Sequence, residues 1–204
     1  VATLRSCLRA CEKMNTNCYV LEAGYQPQHY AIYKNALPHN IKNVEQLIEE
    51  NWESYPSNRM EDAERYFHTR RQGKDLLNGR FSKHQIIGQL PLNWNEKKRN
   101  ISIFVSSEDE FVAIGAEWAN PLFKTQIEGI ETILKAFESD DSFHFFIRIH
   151  PNLYGVLNES TLAMHRIKTK NSTIILARDT VNSYALIKIS EKIMQLQFLQ
   201  NYQN

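Results

Sequence analysis

An excess of charge of one sign is missing from this chain. Its 204 residues carry 24 Lys and Arg against 23 Asp and Glu, a formal net charge of +1 at neutral pH. No Lys/Arg run forms a stripe. Such a stripe binds a polyanion by releasing the counterions condensed on that polyanion, so no electrostatic argument favours nucleic acid and none is expected as a partner. Long apolar runs are missing too, and no stretch approaches the roughly 20 residues of a membrane-spanning helix. The residues present show no secretory-leader pattern. The chain opens without Met, directly on helix-like sequence, so a truncated or processed start is the expectation.

Cysteine is scarce. Cys7, Cys11 and Cys18 lie close together near the start, without the CxxC spacing of a zinc site. An odd number in that arrangement fits reduced thiols in a cytoplasmic protein. Cys7 and Cys11, four apart on a helical pattern, are expected as small core residues. The 7 glycines and 6 prolines form no Walker loop and no GxGxxG, and HExxH and GxSxG are also missing. No ligand cluster calls for a metal, and no cofactor is expected.

What is present is ordinary globular composition, 42% hydrophobic and 23% charged, enough for one large or two small domains. Leu4, Cys7, Leu8, Cys11 and Met14 share a helical face, and "CYVLEAG" (18–24) reads as a short buried strand ending at Gly24. This helix–strand step is typical of α/β folds. Ile41, Val44, Leu47, Ile48, Trp52 and Tyr55 form the stripe of an amphipathic helix over 41–55. A further helix is predicted over 60–74, stopped by Gly73. From Lys74 to Asn100 periodicity is weak, with Gly79, Gly88, Pro91 and "NEKKRN", so the region reads as an extended connector. The predicted boundary divides a partial N-terminal α/β unit over 1–95 from a partial C-terminal unit over 96–204.

The pattern then becomes regular. "ISIFVSS" (101–107) reads as a strand, "TQIEGIETILKAF" (125–137) as a helix, "HFFIRIHP" as a second strand and "STIILA" (172–177) as a third. A last helix over 183–193 has Ala185, Leu186, Ile189 and Ile193 on its predicted buried face. This alternation predicts a parallel sheet with helices on its faces. Such sheets bind ligands at the carboxyl ends of their strands.

Each predicted strand ends in polar residues. The first ends at Ser106 and Ser107, followed by the acidic "EDEF", which would repel a phosphate and is expected to face a sugar acceptor or solvent. The second ends at His150, Pro151 and Asn152. The third leads to Asp179, Asn182 and Ser183. Strand alternation puts Arg148 and His150 on one face, so both are expected to meet the same anion. Pro151 fixes its own φ and restricts His150 to extended geometry. Ser183 with Asn182 suits a phosphate at a helix start, and equally suits simple capping.

"ISIFVSSEDEF", "FIRIHPNL" and "DTVNSYALIKISEKI" together resemble the C-terminal half of capsule polysaccharide biosynthesis proteins. These are bacterial surface-carbohydrate glycosyltransferases with two Rossmann-like domains, the GT-B architecture. The resemblance covers Asn100 to Ile193 best and reaches "YVLEAGYQPQHYAIYKNALPHN" more weakly. It implies that His150 of the His-Pro element contacts the phosphate of a nucleotide-activated sugar, CMP-linked among the options. Arg148, Pro151, Ser106, Ser107, Asn182 and Ser183 are then expected around the donor. Glu22 in "LEAG" is the loose match to an acidic general base.

The resemblance further implies a glycan or glycolipid acceptor, and a cytoplasmic protein held peripherally at the inner membrane near an export machinery. The chain departs from the family after "SEKI". "MQLQFLQNYQN" lacks the expected Gly, Ser-Thr and Glu-Ala, so an incomplete second domain is expected, and catalysis by this chain is left open. Two alternatives stand beside the transferase. One is a non-catalytic remnant or assembly partner; the other is a transferase of glycerol or ribitol phosphate from a CDP-linked donor.

Overall fold

In the computed structural model, the described residues are 2–24, 28–38, 40–54, 58–74, 82–107 and 122–195. Tyr55, Gly79, the acidic stretch 108–111 and the tail 196–204 lie outside them. The chain divides into two compact units, Val1–Arg70 with Lys74–Gly79, and Arg71–Gly73 with Arg80–Asn204.

The first unit holds α1 (Ala2–Lys13), β1 (Tyr19–Ala23), β2 (Tyr30–Lys34), α2 (Ile41–Ser54) and most of α3 (Arg59–Arg71). β1 pairs antiparallel with β2, in register from Tyr19–Lys34 to Ala23–Tyr30. The parallel arrangement expected of an α/β unit is therefore not found here. The connection from Ala23 to Tyr30 is too short for a crossover helix, so the strands fold back on each other. Gly24 closes this hairpin, donating to the His29 carbonyl at 2.7 Å; a Cβ at Gly24 would meet that oxygen at 2.9 Å.

Among the described residues this unit buries Leu8, Val20, Ala36 and Leu37. Cys7 is exposed and Met14 stands in solvent, against the expectation of a core face; Cys11 and Cys18 are half-buried. The stripe of α2 is likewise exposed at Leu47, Ile48 and Trp52. A two-stranded hairpin offers too narrow a face to cover both helices.

The second unit carries the sheet. β3 (Arg99–Phe104), α4 (Gln126–Ala136), β4 (Phe143–Arg148), a 3-10 turn (Pro151–Leu153), α5 (Glu159–Arg166), β5 (Ser172–Ile175), α6 (Ser183–Ile189) and β6 (Lys192–Gln195) follow in order. The strands are all parallel, in the spatial order β5-β4-β3-β6. This is α/β architecture, a four-stranded parallel sheet flanked by helices and compatible with a Rossmann-like fold. The strand order reverses beside β3, which places a topological switch point between β3 and β6.

Alternation along β4 sorts the two cores. Phe143, Phe145 and Ile147 face a large cluster with Ile101 and Ile103 of β3, Ile127, Ile130 and Leu134 of α4 and Met164 of α5. Phe146 faces a smaller cluster with Ile175, Val181 and Leu186 of α6, joined by Leu90 and Trp94. α4 is capped by Thr125, whose hydroxyl accepts from the Glu128 N–H at 3.1 Å. α5 is capped by Asn158, whose side chain accepts from Thr161 N at 2.8 Å, and its last turn carries the basic residues His165 and Arg166.

Two features of the second unit differ from the sequence reading as well. The helix predicted over 183–193 stops at Ile189. Ser190 turns extended at φ −65° and ψ 137°, and Ile193 pairs with Ser102 in the parallel ladder of β6 with β3. A strand, β6, therefore follows α6 where the sequence reads as continued helix. Secondly, 82–98 is not a free connector but packs on the second face of the sheet. Trp94 stacks on Phe146, Ile86 N donates to Thr180 O at 2.8 Å, and Asn182 N donates to Gln89 O at 2.8 Å.

Candidate functional site

The parallel ladder runs on past the assigned strands. Val105 N donates to Arg148 O at 3.0 Å, and Ile149 N to Ile175 O at 2.9 Å. Three strand ends are thereby brought level, with Ser106 and Ser107 after β3, His150 after β4, and 176–179 after β5. This is the edge at which ligands meet open parallel sheets.

His150 explains its own unusual position. It holds φ −60° and ψ 136°, extended as the following proline requires, and acts as the N-cap of the 3-10 turn. Its Nδ1 accepts from the Asn152 N–H at 3.1 Å. Pro151 occupies the first position of the turn, where a missing N–H costs nothing. With Nδ1 engaged as acceptor, the neutral imidazole carries its proton on Nε2. The His-Pro pair thus fixes both the ring and its tautomer.

Ser106 and Ser107 are buried. The main chain of Ser106 is clamped by Gln126, the first residue of α4. Gln126 Oε1 accepts from Ser106 N at 2.8 Å, and Gln126 Nε2 donates to Ser106 O at 2.9 Å. Asn182 caps α6, its side chain accepting from Ala185 N at 2.8 Å, and Ser183 N donates to Gln85 Oε1 at 2.8 Å. The N–H groups of Ser183 and Ala185 are thus spent on side chains of the protein itself.

At this edge lies a cleft of about 500 Å³, lined by Ile149, Leu153, Tyr154, Gly155, His165 and 176–180; His150, next in the chain to Ile149, is not part of its lining. Arg178 lies over the Tyr154 ring at 3.7 Å from its centroid, a cation held against an aromatic face at the rim. Gly155 has φ 75°, the left-handed conformation in which the chain leaves the 3-10 turn, and this position favours glycine.

Arg148 is 2% exposed, and neither Nη1 nor Nη2 has a hydrogen-bond partner. Burial lowers its pKa, and the Asp179 carboxylate acts in the opposite direction. His84, from the packed segment 82–98, is held below the usual imidazole range by burial and then by the Arg148 charge, while a hydrogen bond to the Ala177 main chain opposes that shift.

His150, Pro151, Arg148, Ser106, Ser107, Asn182 and Ser183 all belong to the second unit, but none of them lines the cleft, and Arg148 is buried away from solvent. Glu22 belongs to the first unit. It is exposed on β1 and accepts from its neighbour's N–H, Ala23, at 3.2 Å. His84, Gln126, Tyr154, His165 and Arg178 were not singled out from the sequence. The only signal for Gln126 was its place after the capping Thr125, and no local signal marks the others.

Among the described residues no group of three His, Cys, Asp or Glu is placed to hold a metal ion, and no helix is long and apolar enough to cross a membrane. No protein-family model, curated protein or solved structure matches the chain.

Proposed function

We propose that this chain is a glycosyltransferase-type protein of bacterial capsule or surface-polysaccharide assembly. Its C-terminal unit would hold the phosphate of a nucleotide-activated sugar, CMP-linked in the first instance. The observation that carries this reading is His150, fixed in ring position and tautomer at the carboxyl end of β4, directly after Ile149, which lines the cleft. A neutral imidazole with its proton on Nε2 donates to a phosphate oxygen as negative charge develops on the leaving group. The motifs that resemble capsule polysaccharide biosynthesis proteins support the choice of sugar transfer over other phosphate chemistry. Glu22 as general base, a glycan or glycolipid acceptor, the two-domain GT-B arrangement and a cytoplasmic position at the inner membrane belong to the same proposal.

Calorimetric titration with CMP- and UDP-sugars tests it, together with a transfer assay. His150→Asn keeps an N-cap acceptor but removes the imidazole, so a properly folded variant is expected. Saturable binding in the wild type, with transfer lost in His150→Asn, supports the reading. Wild-type turnover in that variant, or no binding of either sugar nucleotide to the wild type, overturns it.

A further inference from the structure

The sheet face opposite α4 and α5 carries a feature that the cleft does not use. Arg148 lies there, aligned with Phe104 of β3 and Ile175 of β5. Its guanidinium keeps its proton at any pH the fold meets. An uncompensated buried charge is among the costliest groups a protein can hold. Yet Nη1 and Nη2 of Arg148 are sealed from solvent with no partner. The nearby acid is Asp179, and its carboxylate accepts instead from Val181 N at 2.9 Å.

His84 is the second orphan in this place. Its Nε2 is buried without a partner, and its ring bonds to the Ala177 main chain. The charged groups that act on it are Arg148 from β4, and Arg178 and Asp179 from the loop after β5. Two guanidinium charges against one carboxylate leave one positive charge uncompensated.

We propose that Arg148 and His84 together form a binding site for one oxyanion of the sulfate or phosphate type, beneath the 82–98 segment. Two oxygens of the anion accept from the two Nη atoms, the fork geometry that makes arginine the preferred ligand for such groups. A third oxygen meets His84 Nε2. A neutral His84 that donates to the Ala177 carbonyl through Nδ1 presents a lone pair at Nε2, which repels the anion. Binding therefore takes one proton from solvent onto Nε2, giving an imidazolium that donates. The segment over the site parts as the anion enters. The site needs only the oxyanion; that its source is the donor nucleotide rests on the function proposed above.

Sodium sulfate is the cleaner probe, because its charge is constant near neutrality. The full chain is titrated at constant ionic strength against sodium chloride, at about pH 6 and about pH 8, on either side of the ordinary imidazole range. Sulfate is expected to raise the wild-type Tm above the chloride reference. Its affinity is expected to fall as pH rises. Arg148→Met, which removes the buried charge and keeps the length, is expected to fold and to lose affinity by about tenfold or more. His84→Gln is expected to bind sulfate equally at both pH values.

A wild type that responds to sulfate no more than to chloride overturns the proposal, as does Arg148→Met with wild-type affinity. A pH-independent wild type overturns the part given to His84. In a second arm, CMP and cytidine compete with sulfate. Displacement by CMP and not by cytidine identifies the nucleotide phosphate as the source. Sulfate binding that CMP leaves untouched supports the site for a free oxyanion and overturns only the nucleotide as its source.

Discussion

Trp94 stacks on Phe146, with ring centroids 5.0 Å apart and planes inclined by 22°. Phe146 is fully buried in the middle of β4, so the contact joins an irregular segment to the centre of the sheet. The same segment is tied further along by Asn93, which bonds to Thr173 and to His144. On this face 82–98 takes the place that a second helix would otherwise fill beside α6.

Trp94→Ala removes that cover from Phe146. A loss of about 2–4 kcal/mol is expected, somewhat below the ~3–5 kcal/mol of a fully buried aromatic because Trp94 is half-buried. Urea unfolding monitored by circular dichroism measures it. A loss no larger than that of an exposed surface substitution would show that the segment does not stabilise the sheet.

Much of the second unit is legible in its sequence because its elements repeat with a period. Ile101, Ile103, Phe145 and Ile147 alternate or run as buried strand residues, and Ile127, Ile130 and Leu134 recur at helical spacing. Ile189 and Ile193 are four apart as well, and read as one helical face. Ser190 breaks that face, and the ladder of β6 with β3 captures Ile193. The 82–98 segment has no period to read. It is held by individual bonds from Gln85, Gln89 and Asn93, which any polar loop could offer. His84 was hidden for that reason, and with it the pairing of His84 with a buried Arg148. The strand-end positions of Ser106, Arg148 and His150 followed from alternation. The capping role of His150 did not, because imidazole is an uncommon N-cap.

Gln126 makes a sharper test of the strand-end geometry. Its amide satisfies both the N–H and the carbonyl of buried Ser106. Gln126→Ala leaves both main-chain groups without that partner, at a cost of about 1–3 kcal/mol for each. The neighbouring Thr125→Ala loses a single N-cap bond, about 1 kcal/mol. Chemical denaturation is expected to rank Gln126→Ala clearly below Thr125→Ala in stability. The reverse order would mean that the clamp on Ser106 does not hold the end of β3.

His144 gives the fold a pH dependence. It lies in β4, 8% exposed, with Nε2 at 3.2 Å from Asn93 Nδ2 and 2.8 Å from Thr173 Oγ1. An amide nitrogen only donates, so Nε2 accepts and carries no proton in the folded state. Burial, with a smaller contribution from the Lys98 charge, lowers the His144 pKa below its ordinary value of 6.5. As pH falls, the unfolded chain takes up this proton before the folded one does. The stabilisation is therefore complete above about 6.5 and is lost as pH falls through the lowered folded pKa. His84 is shifted in the same direction, so both groups act with one sign. Urea midpoints measured from neutral pH downward are expected to fall for the wild type. They are expected to fall less steeply for His144→Gln, which cannot titrate, with the remaining slope reduced again in His84→Gln. Parallel curves for wild type and His144→Gln would show that this imidazole titrates alike in the folded and unfolded chains.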